Sequence, residues 1–131
     1  MFVQACNAFS ENTVLLPDGE GGVVVFDPGF SSAQEWEWFD ALLDEHGLVP
    51  KAVWLTHAHL DHVMGCHGMH KRYGLRPRLH SLDRPTYEMA HWAAERYGVA
   101  LDPLPECEDQ DFVDGEQLEL GQLNLTVRHT P

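Results

Sequence analysis

Basic side chains are scarce in this chain: Lys and Arg total 8 against 21 Asp and Glu, a formal net charge of −13. A nucleic-acid backbone is held by clustered cations, and only Lys71-Arg72 and Arg76-Pro77-Arg78 gather locally. These short groups read as a solvated helix end, so no nucleic-acid partner is expected. Cysteine is sparse as well, with three residues at scattered spacing. An odd, scattered set gives no disulfide framework and fits a reducing, cytoplasmic compartment. No apolar run approaches the length of a membrane span, and Met1 to Ser10 has neither the basic region nor the apolar stretch of a secretory signal. No membrane partner is expected either. Against these absences stand a hydrophobic content of 44% and four tryptophans, which exclude a disordered chain. At 131 residues the natural expectation is one domain with a modest core.

The densest chemistry lies in Thr56-His57-Ala58-His59-Leu60-Asp61-His62, where four metal-ligating side chains fall within six residues. The segment follows Ala52-Val53-Trp54-Leu55-Thr56, an apolar β-prone run of the kind that forms a buried strand. If extended geometry persists past Thr56, then His57, His59 and Asp61 project on one side by the period-two rule and His62 points elsewhere. That arrangement suits two neighbouring ions, with His57 and His59 on one and Asp61 and His62 on the other. Imidazole and carboxylate ligands suit zinc, one or two ions, and equally iron or manganese. Cys66, close by, could serve as a thiolate ligand, but reads more simply as a small packing residue on the following helix. His46, His67, His70, His80 and His91 read as solvated or locally bonded. Of these His80 ends a predicted strand and is the one placed to face a cleft.

Along the rest of the chain strands and helices alternate. Phe9 to Leu16 and Gly22 to Phe26 form a predicted hairpin across the turn residues Pro17-Asp18-Gly19-Glu20-Gly21. A helix is predicted from about Ala33 to His46, with Ser32 and Glu35 as a capping box and Gly47 as its stop. Its apolar stripe is Trp36, Phe39, Leu42 and Leu43, a core face. A second helix is expected from about Asp61 to Tyr73, with Gly65 and Gly68 allowing close approach to the sheet. A third, capped by Asp83 with Pro85 in its first turn, should reach Tyr97. Arg78-Leu79-His80 reads as a short strand. Leu101 to Asp111 reads as an acidic, proline-rich loop, and Leu118-Glu119-Leu120 and Leu123 to Val127 as a closing hairpin. The fold class is α/β, a layered sandwich.

His57-Ala58-His59-Leu60-Asp61-His62 resembles the signature of the metallo-β-lactamase fold superfamily. Phe26-Asp27-Pro28-Gly29 is similar to that family's upstream aspartate turn. Asp114 to Gly121 resembles the hairpin before its third metal histidine, and Arg128-His129-Thr130-Pro131 the opening of its His-Thr-Pro-Gly-His segment. The resemblance implies an αββα sandwich, of which this chain would supply the N-terminal half plus the start of the second. Residues 1–131 would thus be a single, C-terminally truncated domain whose remaining ligands lie beyond Pro131. His129 aligns with a histidine that is not a ligand. A lone half should leave one apolar sheet face uncovered and the chain prone to self-association.

The resemblance also implies metal-assisted hydrolysis of a small-molecule substrate by a metal-bound hydroxide. His57, His59, Asp61 and His62 would be ligands, and Asp61 would also orient the nucleophile. Asp27 would fix the orientation of a ligating histidine, or serve only as part of its turn. The string looks most like the glyoxalase II-like hydrolase branch, which cleaves thioesters. Flavodiiron-type oxidoreductases usually carry an acid where His59 stands. An iron-dependent persulfide dioxygenase-like oxidoreductase is an alternative, as is a non-catalytic fragment with an incomplete metal site.

Overall fold

In β3 (Gly22–Phe26) three consecutive valines are all fully buried, as a continuous apolar run requires when both faces of a strand are covered. Val23 and Val25 pack into the larger apolar cluster on one face, and Val24 into a smaller cluster on the other. This strand is the centre of a five-stranded sheet of order β1-β2-β3-β4-β5 in a computed structural model that describes residues 1–131. β1 (Phe2–Cys6) and β2 (Glu11–Pro17) are antiparallel neighbours, and β2 is antiparallel to β3. β4 (Val49–Trp54) and β5 (Pro77–Arg78) continue the sheet in parallel. The hairpin expected from Phe9 to Phe26 is therefore present, with β1 added at the edge. That strand had no predicted counterpart.

α1 (Ala33–His46) has the predicted capping box, with Ser32 accepting from the Glu35 N–H, and Gly47 closes it in the left-handed conformation at φ 62°. Phe39, Leu42 and Leu43 face the core as their spacing requires. Arg72 on the next helical segment pairs with Asp40 and lies over the Trp36 ring, binding the helices across their exposed rim.

Two predicted helices are broken. The one expected from Asp61 to Tyr73 divides into α2 (Leu60–Val63) and α3 (Cys66–Tyr73). At the break the Gly65 N–H donates to the Pro28 carbonyl at 2.7 Å. A Cβ on Gly65 would crowd that same carbonyl and Phe30, while one on Gly68 would overlap the Trp36 ring. Gly68 thus serves helix-to-helix contact, not contact with the sheet. The helix expected from Asp83 to Tyr97 becomes a 3₁₀ turn (Ser81–Asp83), then α4 (Arg84–Glu88) and α5 (Ala90–Tyr97), bent at Met89. Asp83 does not cap it. Its carboxylate accepts from the Ala58 N–H at 3.1 Å.

β6 (Gln117–Leu120) and β7 (Leu123–Thr126) form the closing hairpin, with Leu118 opposite Leu125 and Leu120 opposite Leu123. These leucines lie over Val24, Ala52, Trp54 and Phe112 on the face away from the helices. The sheet face expected to be bare is therefore covered by the hairpin, and Trp54 is only 7% exposed. No helix is long and apolar enough to cross a membrane.

Candidate metal centre

The parallel strands β3 and β4 end side by side, and the chain just beyond each end forms the site. Open α/β sheets place ligand sites at these carboxyl ends. After β3, Asp27 turns with φ 48°, a left-handed conformation that aspartate tolerates better than most residues. Its N–H donates to the Trp54 carbonyl, tying the turn to β4. Its carboxylate accepts from both the N–H and the hydroxyl of Thr56, each at 2.7 Å. Asp27 therefore forms the turn and also bonds across to Thr56, the residue before His57.

This pairing fixes the state of His57. The Thr56 hydroxyl gives its proton to Asp27, so toward His57 Nδ1, 3.0 Å away, it can only accept. His57 is then protonated at Nδ1 and carries its lone pair on Nε2. That nitrogen faces His59 Nδ1 at 3.0 Å. Burial, followed by the neighbouring His62 and His59, lowers the His57 pKa, so its neutral, ligating form is favoured.

The backbone is extended through His59, at φ −62° and ψ 153°, and then turns into α2 at Leu60. Asp61 consequently lies in a first helical turn instead of alternating with His57 and His59. His62, expected to point away, lies against His57 with ring centroids 4.0 Å apart. His62 Nε2 is 3.5 Å from Asp61 Oδ2, and its Nδ1 is 3.3 Å from Asp27 Oδ2. Burial disfavours charge on His62, but Asp27, Asp61 and Glu11 outweigh it and raise the pKa. The sequence-predicted residues His57, His59, Asp61, His62 and Asp27 are thus brought into one connected group, although the path of the chain differs from the extended one expected.

Two contributors went unread in the sequence. Asn7, at φ 53°, donates from its amide to the Gly29 carbonyl at 3.0 Å and the Asp61 carbonyl at 2.9 Å. Glu11, the first residue of β2, has a side chain wholly screened from solvent beneath His62. Burial pushes its carboxyl up to about 7, and the Thr13 hydroxyl bond opposes that rise.

The donor set fits a divalent cation. Two imidazole nitrogens face each other 3.0 Å apart with one lone pair assigned, a disposition that a shared ion or proton stabilises. Glu11 Oε1 and His62 Nδ1 are buried without hydrogen-bond partners, and Glu11, Asp27 and His62 bring ligand atoms within 4.8 Å of one another. Nitrogen and carboxylate donors suit zinc, iron and manganese alike.

Two cavities open on the group. One of about 840 Å³ reaches Thr56, His57 and His59 from the side of the β6–β7 hairpin. Another of about 440 Å³ reaches His59 and Asp61 past Phe9, Met89 and Tyr97. His80 faces the larger one, as its place predicted, and its ring stacks on His129 at 4.2 Å. His67 Nδ1 lies 2.8 Å from the Pro103 carbonyl, a long-range contact with the acidic loop. Cys66 is fully buried, and that burial raises its thiol pKa, which fits packing and not ligation.

A family model for the metallo-beta-lactamase superfamily matches residues 6–131. The chain is 31% identical over 126 residues to the uncharacterized protein ML0493 of Mycobacterium leprae (strain TN), covering 92% of this chain and 56% of that protein. It is also 31% identical over 128 residues to the hydroxyacylglutathione hydrolase GloC of Haemophilus influenzae, covering 95% and 57% respectively. Among solved structures it is similar to TTHA1623 in a di-iron-bound form, with TM-score 0.76, 36% identity, and 90% of this chain and 57% of that one covered. BLEG-1 B3 metallo-beta-lactamase shares the fold at TM-score 0.75 and 23% identity, with 99% of this chain and 61% of that one covered. The chain spans a little over half the length of the Mycobacterium leprae and Haemophilus influenzae relatives, and 40% of the length of the hydroxyacylglutathione hydrolase of Aeromonas hydrophila.

Proposed function

Because the chain belongs to the metallo-β-lactamase superfamily, we propose that the protein carrying it is a metal-dependent hydrolase of thioesters or related small-molecule esters. The observation that carries this reading is the facing pair His57 Nε2 and His59 Nδ1, held 3.0 Å apart while Asp27 and Thr56 keep Nε2 unprotonated. His57 and His59 hold one ion, and Asp61 and His62 a second. Bound there, the ions supply Lewis acidity toward water and the acyl oxygen. Asp61 also orients the attacking water, from a backbone position that Asn7 pins through the Asp61 carbonyl. Asp27 is 5% exposed and does not meet substrate. It acts through Thr56 on the orientation of His57.

The likeness to hydroxyacylglutathione hydrolases, 31% identical over most of the chain, supports a thioester substrate. Zinc is the first ion to test, since it accepts mixed imidazole and carboxylate shells. Iron is the second, because the solved structure 36% identical to this chain holds two irons. Three unpaired, buried thiols favour a reducing, cytoplasmic setting. The acid-rich composition favours a small molecule over nucleic acid as partner.

The test is hydrolysis of a hydroxyacylglutathione thioester by the complete gene product, with its metal content measured. Turnover should vanish on chelation, return with added Zn²⁺, and be lost in His59→Ala. Protein carrying two ions that leaves thioesters intact would reject the thioester assignment, and protein that binds no divalent metal would reject the hydrolase.

A further inference from the structure

Glu11 has no part in the reading above, yet it is the most deeply enclosed carboxylate near the site. It opens β2 on the inward face shared with Thr13 and Leu15. Its Oε2 accepts from the Thr13 hydroxyl at 2.9 Å, and Gly29 backs so closely on that oxygen that a Cβ could not fit. Its Oε1 has no partner. The His62 Nδ1 atom, 3.9 Å away, is likewise buried and unpartnered. Leaving both polar atoms unsatisfied out of water costs free energy, so their common placement calls for a reason.

Two arrangements would satisfy the pair. In one, a cation sits among Glu11 Oε1, His62 Nδ1 and Asp27. Even with Asp27, whose oxygens also accept from the Thr56 N–H and hydroxyl, that place offers three protein ligands, one short of a closed structural site. In the other, His62 carries its proton on Nδ1 and turns it toward the two carboxylates. The opposite tautomer would set a nitrogen lone pair against both of them, an unfavourable encounter in a poorly solvated place.

We propose that Glu11 is a positioning residue that, together with Asp27, holds His62 with Nδ1–H directed inward, so that Nε2 presents its lone pair on the Asp61 side. Asp27 supplies the nearer oxygen at 3.3 Å, and Glu11 the attraction at 3.9 Å. Nε2 then lies 3.5 Å from Asp61 Oδ2, forming the second pair of ligand atoms. A carboxylate behind a ligating histidine fixes both tautomer and ring direction. This inference rests on the reading that Asp61 and His62 hold an ion.

The experiment titrates the metal-free complete gene product with Zn²⁺ against a chromophoric chelator. It compares wild type, Glu11→Met, Glu11→Gln and Asp61→Ala, the last marking which ion belongs to Asp61 and His62. Methionine fills the space without an acceptor, and Thr13 can still donate to the Asp27 carbonyl at 3.0 Å, so the fold should survive. Glu11→Met should bind the Asp61–His62 ion about tenfold or more weakly and the other ion as wild type does. Glu11→Gln, which keeps an acceptor oxygen, should recover most of the loss. In nitrogen-15 spectra of the metal-free protein, His62 should be protonated at Nδ1 in wild type and shift toward Nε2–H in Glu11→Met. Unchanged affinity and tautomer in Glu11→Met would overturn the proposal, as would equal weakening of both ions. Stoichiometric loss of an ion in Glu11→Gln would make Glu11 itself a ligand. If Glu11→Met does not fold, the wild-type and Glu11→Gln spectra decide, because His62 protonated at Nε2 in both rejects the proposal. Wild type that takes up no Zn²⁺ would sink the metal reading and this inference with it.

Discussion

Thr56 has one hydroxyl proton and two neighbours within hydrogen-bond reach, Asp27 Oδ2 at 2.7 Å and His57 Nδ1 at 3.0 Å. Only one assignment satisfies both, because a carboxylate accepts and cannot donate. Valine would keep the shape of Thr56 and delete both bonds. Thr56→Val should therefore free His57 to exchange tautomers and weaken its ion about tenfold, while Thr56→Ser should restore binding. Chelator competition measures this, and an unchanged dissociation constant in Thr56→Val would reject the relay. The candidate ligands His57, His59 and His62 are legible in the sequence because they crowd into one short motif, and Asp27 because its turn follows an apolar strand directly. Asn7 and Glu11 are not, since Asn7 reaches the Asp61 carbonyl across 54 positions. A trace of Glu11 is nevertheless there: Glu11, Thr13 and Leu15 alternate with period two, which puts two polar side chains on the core face of β2. Polar residues at core positions mark functional or strained places.

The helix boundaries divide in the same way between local and distant causes. α1 begins and ends where Ser32, Glu35 and Gly47 predict, because capping is settled within one turn of the chain. Glu35 does more than cap, since it also accepts from the N–H groups of Ser31 and Asn7. Burial raises its pKa, but these donors and that of Ser32 outweigh burial and hold it below the ordinary 4.5. A depressed folded pKa makes this contribution fully present above about 4.5, and lost as the pH falls through the lower folded value. Wild type should thus lose stability on acidification over that window, and Glu35→Gln should lose less. Denaturant melts between pH 3 and 6 measure the difference, and parallel profiles would contradict it. The break at Gly65 comes from the Pro28 carbonyl, a partner outside the helix, so residues 61–73 alone carry no sign of it. Gly68 sits where the Trp36 ring leaves no room for a Cβ. Gly68→Ala should destabilise the protein by about 1–3 kcal/mol through overpacking, despite the helix propensity gained. A thermal midpoint at or above wild type would show that α1 and α3 part easily.

The order of strands explains why these distant pieces meet. β3 and β4 are parallel neighbours, so the Asp27 turn and the Thr56–His59 segment leave the sheet at the same end. β2 lies on the other side of β3, and its first residues bring Glu11 and Thr13 beneath that end. An α/β sandwich follows from the alternation of strands and helices, and its αββα layering from the family resemblance. The covering of the second face by the β6–β7 hairpin does not, because strand pairing within a hairpin says nothing of where the hairpin docks. Its docking rests on contacts such as the Gln122 N–H to the Asp18 carbonyl at 2.7 Å. Three separate segments thus converge their carboxylates and imidazoles on one small region of a strongly acidic chain. Ions held by His57, His59, Asp61 and His62 would favour the folded state, since the unfolded chain does not keep these groups oriented toward one another. Such linkage contributes about 2.7 kcal/mol at a hundredfold excess of free metal over its dissociation constant. The melting temperature of the complete gene product should accordingly fall on chelation and climb with added Zn²⁺. His57→Ala and His62→Ala should each climb less than wild type, because each removes a proposed ligand, His57 from one ion and His62 from the other. If melting temperature is indifferent to chelator and metal, the segments are joined by protein contacts alone, and the cluster is not a metal centre.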